Sequence, residues 1–270
     1  MAGFYFCGQK LNDELVTSIS RLLNTAGVPA LLWGNYLLTI YGVPTIVDVS
    51  TFATKAIMEI TLNFEQGVAF VVPDALTEVS YSALSRAGFL TCTRNSDCPH
   101  QTSSRCPPPT RHLHIDDELT VSLYRKSDVL WELPEFGLVP HGKSPDIMYA
   151  SDTQLPSASL GHGRGRFNSP LSPVRIPTAL RYCEALILLL CRDRGSIYEA
   201  YWMAILTYML EYVDGTPILD EKDMRDGCRH FYQALKSGDS KMYVLLDRLR
   251  YDLNTRQNIT VEKTYQARVI

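Results

Sequence analysis

The sequence predicts an α/β (α+β) protein: a small mixed sheet with flanking helices, followed by a helical domain. Three observations carry this. Helix-like and strand-like apolar periods alternate up to residue 87. A paired run over 112–124 reads as a hairpin. From residue 177 onward the apolar positions recur only at helical spacing.

Taken in order, residues 11–25 read as an amphipathic helix. Leu11, Leu15, Ile19, Leu22 and Leu23 share a face, and Asn12 or Asp13 can cap the start. Residues 30–33 read as a buried strand ending at Gly34, and 36–41 as a second helix stopped by Gly42 and Pro44. The β-branched runs 45–49 and 68–72 read as strands. Residues 74–87 read as a helix with Asp74 as N-cap and Gly88 as its stop. Residues 92–109 form a Cys/Pro/Ser/Thr-rich loop. Residues 112–115 and 119–124 form the hairpin, turning at Asp116-Asp117-Glu118. The stretch 134–173 carries much of the chain's proline and a glycine-arginine run, and reads as an exposed linker or lid. Four helices follow, over 178–192, 196–213, 220–235 and 240–253, with a polar, frayed tail after Asn254. The expected division is thus 1–133, a sheet domain; 134–173, a linker or lid; and 174–270, a helical domain.

Composition fits a folded chain. The 270 residues are 46 % hydrophobic and 20 % charged. A net charge of −3 gives no global electrostatic case for nucleic acid as a partner. The longest apolar run, 185–190, is far shorter than the roughly 20 residues of a membrane span, so no membrane partner is expected. The N-terminal residues lack a basic region followed by a long apolar one, so a cytoplasmic location is expected. In that compartment the seven cysteines read as thiols or metal ligands rather than disulfides. No Walker loop, GxGxxG, HExxH, GxSxG or kinase motif set is present.

The densest polar cluster is Cys92-x5-Cys98-x-His100-x5-Cys106. These four soft or borderline ligands can close a tetrahedral Zn²⁺ site, although no CxxC pair is present; the plain alternative is a set of unligated loop thiols. His112, His114 and Asp116 stand two apart, so on a strand they share a face and can hold a divalent metal or a phosphate. The plain alternative there is a polar hairpin edge and an ordinary turn. Gly34, after Trp33 at a strand end, permits close backbone approach to a ligand. Asp48, at the end of the neighbouring predicted strand, can hold a metal ion or serve as a turn residue. Lys126, Arg164 and Arg166 offer cations to an anionic ligand, and a solvated surface is the commoner use of such residues.

Leu32-Trp33-Gly34, Tyr41-Gly42-Val43-Pro44-Thr45 with Asp48, and Phe70-Val71-Val72-Pro73-Asp74 together resemble a family of fungal hypothetical proteins, itself similar to the nucleotidyltransferase-fold superfamily. His112-Leu113-His114, the run Lys126-Ser127-Asp128-Val129-Leu130-Trp131 and Val174-Arg175-Ile176-Pro177 fit the same pattern. The resemblance implies a nucleotidyltransferase-like sheet, a helical domain, and a cleft between them that takes an anionic small molecule or a nucleotide with Mg²⁺. Trp33, Gly34, His112, His114 and Lys126 would line that cleft. Active members hold two divalent metals on a pair of carboxylates two residues apart plus a third on a neighbouring strand. Gly34 matches the glycine turn, Asp48 the first carboxylate and Asp116 the region of the third. Ser50 stands where the second belongs, so the resemblance implies a catalytically degenerate protein. Two further expectations stand beside it: a zinc-stabilised, non-enzymatic interaction module, and a metal-dependent enzyme of another class using His112, His114 and Asp116.

Residues 49–66 resemble nothing in that pattern. They read either as an extra amphipathic helix over 51–64 or as a translated intron: Val49-Ser50 can be encoded by GTAAGT, a favoured splice donor, and Gln66 by CAG, a favoured acceptor end. Transcript sequencing separates the two. The intron reading expects messages that lack these eighteen codons, and the helix reading expects messages that uniformly retain them.

Overall fold

The structure is a computed structural model that describes residues 4–44, 67–94, 97–102, 106–138, 144–159, 162–168 and 173–266, with side chains as far as residue 255. The expected strand at 45–49, Asp48 and the segment 49–66 lie outside the described residues.

Helix α1 (Asp13–Thr25) begins where Asn12 accepts a hydrogen bond from the Leu15 N–H at 2.9 Å, as its N-cap chemistry predicts. It buries Leu15, Val16, Ile19 and Leu23. Strand β1 (Leu31–Trp33) is wholly buried and turns directly into α2 (Gly34–Ile40). Gly34 makes that turn at φ 71°, a conformation that favours glycine. Strand β2 (Gly67–Val72) follows, then a 3-10 turn (Asp74–Leu76) and helix α3 (Thr77–Arg86). Asp74 does not cap this helix. Its carboxylate accepts from the Ser127 N–H at 3.1 Å, and so ties the helix entrance to the end of a distant strand.

Strand β3 (Leu90–Thr91), the single turn α4 (Pro99–Thr102), and strands β4 (Arg111–His114) and β5 (Thr120–Arg125) complete the sheet. Its order is β1-β2-β5-β4-β3. Only the β2–β5 pair is parallel; the other three pairs are antiparallel. The sheet is therefore mixed, as the sequence predicts.

After the short helix α5 (Lys126–Val129) comes a two-stranded ladder of β6 (Ile147–Tyr149) and β7 (Arg175–Pro177). Four helices end the described chain: α6 (Ala179–Arg192), α7 (Glu199–Tyr212), α8 (Asp226–Ser237) and α9 (Met242–Gln266). The last helix continues past Asn254, where the sequence predicts a frayed tail. Buried residues from both ends of the chain form one apolar cluster, running from Phe6 to Leu246. Trp33 of β1 meets Tyr182 of α6 edge-on, at 4.7 Å between ring centroids.

The stretch expected as an exposed linker is exposed over much of its described length but anchored by a few buried residues. Ala150, Leu155 and Phe167 are buried, and Gly163 and Gly165 donate hydrogen bonds to the carbonyls of Gly42 and Thr39 at the end of α2. Proline and glycine here signal irregular backbone: the strap needs small residues to lie against the helix end. A Cβ on Gly163 would stand 2.3 Å from the Thr39 carbonyl oxygen and 2.5 Å from that of Val43.

One buried carboxylate joins the helical elements. Glu184 of α6 is fully buried. It accepts from the Arg181 guanidinium at 2.6 Å, and from the Arg225 N–H and Nε at 2.7 and 3.1 Å. Arg181 also binds Asp146 at 2.5 Å, and Arg225 binds Glu132 at 3.0 Å.

Two stability outcomes follow, each read by thermal unfolding. Gly163→Ala is expected to cost about 1–3 kcal/mol, because the packed backbone must move to admit a methyl group; a free linker would tolerate it. Glu184→Gln is expected to cost about 1–3 kcal/mol, because the amide replaces charge-assisted acceptors with one weaker acceptor and a misplaced donor.

Candidate metal centre

The antiparallel hairpin β4–β5 fixes two imidazoles. His112 and His114 stand two apart on β4 and project to one sheet face, opposite Ser122 and Thr120 of β5. On the other side of β4, the register sets Leu90 opposite His114 and Thr91 opposite Leu113. One further step of that register brings Cys92 opposite His112, on the same face. Cys98, further along the chain, comes within reach of both rings. Cys98 is fully buried, with Sγ 3.4 Å from His112 Nε2 and 3.9 Å from His114 Nε2.

The ligand atoms of Cys92, Cys98, His112 and His114 all lie within 4.8 Å of one another, so the cluster could hold a metal ion. A tetrahedral Zn²⁺ has bonds of about 2.3 Å to sulfur and 2.0–2.1 Å to nitrogen, which sets neighbouring ligand atoms about 3.3–3.8 Å apart. The Cys98–His112 separation of 3.4 Å falls in that range, the Cys98–His114 separation of 3.9 Å lies just above it, and no pair needs to contract by more than about 1.5 Å.

Electrostatics favour ligand-ready imidazoles. Burial, reinforced by His114 and His100 beside it, pushes His112 down to about 4, so its ring is neutral at physiological pH and its lone pair available. Burial likewise lowers His100, again helped by His114. Burial and the neighbouring Cys92 thiol push the Cys98 thiol up, against hydrogen bonds from the His100 and Gln101 backbone. A bound cation reverses that preference, since a coordinating thiol is deprotonated.

The converging set differs from the one spacing predicts. Cys92 and Cys98 belong to it, but His112 and His114 take the places expected for His100 and Cys106. The reason is the β3–β4 register, which sets the end of β3 beside the hairpin histidines. His100 stands close by, its ring 5.8 Å from that of His114 and 6.2 Å from that of His112, outside the set of four. Cys106 is buried, and its sulfur is not among the converging atoms.

Asp116 does not join the histidines. It lies past the end of β4, where Oδ1 accepts from the Glu118 and Leu119 N–H groups at 2.9 and 2.7 Å and so closes the hairpin turn.

The residues expected to line one cleft come from β1, β4 and the end of β5, with Trp33 and His112 in one row on the same sheet face. Trp33 is buried in the core against Tyr182. β1 lies three strands from β4 in the sheet, about 14 Å at the usual strand spacing. Lys126 is nearly buried and paired with Glu135 at 2.9 Å. Arg164 stacks on the Tyr36 ring, and Arg166 binds the carbonyls of Thr153 and Leu155.

The fold and this site define a mixed α/β protein with a four-residue Cys/His cluster able to hold a metal ion. No protein-family model, curated protein or solved structure matches the chain. Among the described residues, no helix is long and apolar enough to cross a membrane.

Substitution distinguishes the two ligand sets. Cys98→Ser and His114→Ala are expected to remove most bound metal, whereas Cys106→Ser and His100→Ala keep about one ion per chain, read by elemental analysis of protein purified under reducing conditions.

Proposed function

We propose that this chain is a zinc-stabilised, non-enzymatic interaction module built on a nucleotidyltransferase-like scaffold. The convergence of Cys92, Cys98, His112 and His114 carries the reading. Four protein ligands fill a tetrahedral shell and leave no position for substrate or activated water, which is the pattern of a structural ion rather than a catalytic one. Two thiolates and two imidazoles suit Zn²⁺ better than Mg²⁺, which takes oxygen ligands. Held there, the ion joins the loop after β3 to the strand beside it and holds the sheet's outer edge in one shape.

The scaffold reading is supported by the β1–α2 turn at Gly34, whose positive φ suits the glycine turn of nucleotidyltransferase-like proteins. Nucleotidyl transfer itself is disfavoured by chemistry. Asp116 is committed to the hairpin turn, and Ser50 occupies the second carboxylate position. A cleft for an anionic small molecule would have to form without Trp33 and Lys126, since both are already engaged.

Two measurements test this. Stripping the ion with a chelator is expected to lower Tm, and restoring Zn²⁺ at a thousandfold excess over its Kd should return about 4 kcal/mol of apparent stability. ATP, GTP, CTP and UTP with Mg²⁺ should release no pyrophosphate. Mg²⁺-dependent release that disappears in Asp48→Asn would overturn the non-enzymatic reading.

A further inference from the structure

We propose that the Cys92/Cys98 pair is an oxidation-sensitive latch: a hydroperoxide converts the two sulfurs to a Cys92–Cys98 disulfide and expels the metal ion. This rests on the zinc reading above and adds regulation to the same site. Both cysteines are reduced, and their sulfurs already approach within 4.8 Å. Five residues separate them in the sequence, and the sulfurs must close by less than about 3 Å to reach the roughly 2.05 Å of an S–S bond.

The two sulfurs are not equivalent. Cys92 is partly exposed at the sheet edge, after a strand whose Leu90 is 60 % exposed, whereas Cys98 is fully buried behind it. A small peroxide therefore meets Cys92 first. The Cys92 thiolate attacks one peroxide oxygen, the O–O bond breaks, and hydroxide leaves, giving a sulfenic acid at Cys92. The Cys98 thiolate then attacks that sulfur, the S–O bond breaks, a second hydroxide leaves and the disulfide forms. Each sulfur gives up one electron, and the two peroxide oxygens accept the pair. With both thiolates consumed, the ion loses its only anionic ligands and keeps only His112 and His114 of the four. The buried position of Cys98 assigns it as the resolving thiol and Cys92 as the sulfur that the peroxide attacks.

The test uses the full zinc-loaded chain and hydrogen peroxide, with a chromogenic chelator reporting released zinc and peptide mass mapping locating the bridge. The expected result is release of about one zinc per chain together with a Cys92–Cys98 bridge, reversed by dithiothreitol and added Zn²⁺. In Cys98→Ser, a 1,3-dione trapping reagent should label Cys92 as its sulfenic acid; in Cys92→Ser, labelling at Cys98 should be much slower. Zinc retained after oxidation, or a bridge to Cys106 instead, overturns the latch. The metal reading fails separately, through purified protein that carries no zinc before peroxide is added. In that case the 92–98 bridge and the Cys92-first order are still read on the metal-free chain, and their absence overturns this proposal too.

Discussion

The parallel pairing of β2 with β5 holds the sheet together, and the rest of the molecule depends on it. β1–β2 forms one antiparallel leaf and β5–β4–β3 another, and this pairing joins them. It is also unusually tight at its start. Gly67 sits at φ 142° opposite Thr120, and a Cβ there would stand 2.1 Å from the Thr120 carbonyl oxygen. The register then aligns Trp33, Ala69, Ser122 and His112 as one row across a single face. A slip by one residue would turn every member of a strand to the opposite face, and both histidines with it.

Most of the fold was legible because local chemistry announced it. Asn12 caps α1, Gly34 and Gly88 mark their turns with positive φ, and Asp116 closes a hairpin that alternating residues had already drawn. Half of the Cys/His cluster is legible from the cysteines of the loop. The other half is hidden from spacing alone, because the ladder brings ligands together by register rather than by nearness along the chain. The signal was nevertheless present. Two histidines on one strand face, and a cysteine directly following the strand-like Leu90-Thr91, belong together once β3 is paired with β4.

The anchored strap after α5 teaches a related point. Proline lacks a donor and glycine lacks a side chain, so such a stretch forms no regular element; neither property decides whether it is exposed. Burial there is set by Phe167 and Leu155, two apolar anchors spaced too irregularly to register as a pattern. The buried Glu184 is equally hard to anticipate. In the sequence it is one acidic residue on an apolar helix, and only the tertiary fold brings Arg181 and Arg225 to it from two directions.

The brevity of β3 leaves part of the sheet's edge open. β3 covers only Leu113 and His114 of β4, leaving the backbone of Arg111 and His112 beyond the end of the ladder. An uncovered strand flank is an adhesive surface, because its unpaired amides and carbonyls match those of any neighbouring chain. Cys92 stands at that flank, with Cys98 within reach of the same two histidines. An ion held by this cluster would pin two side chains beside the part of the edge that β3 leaves open.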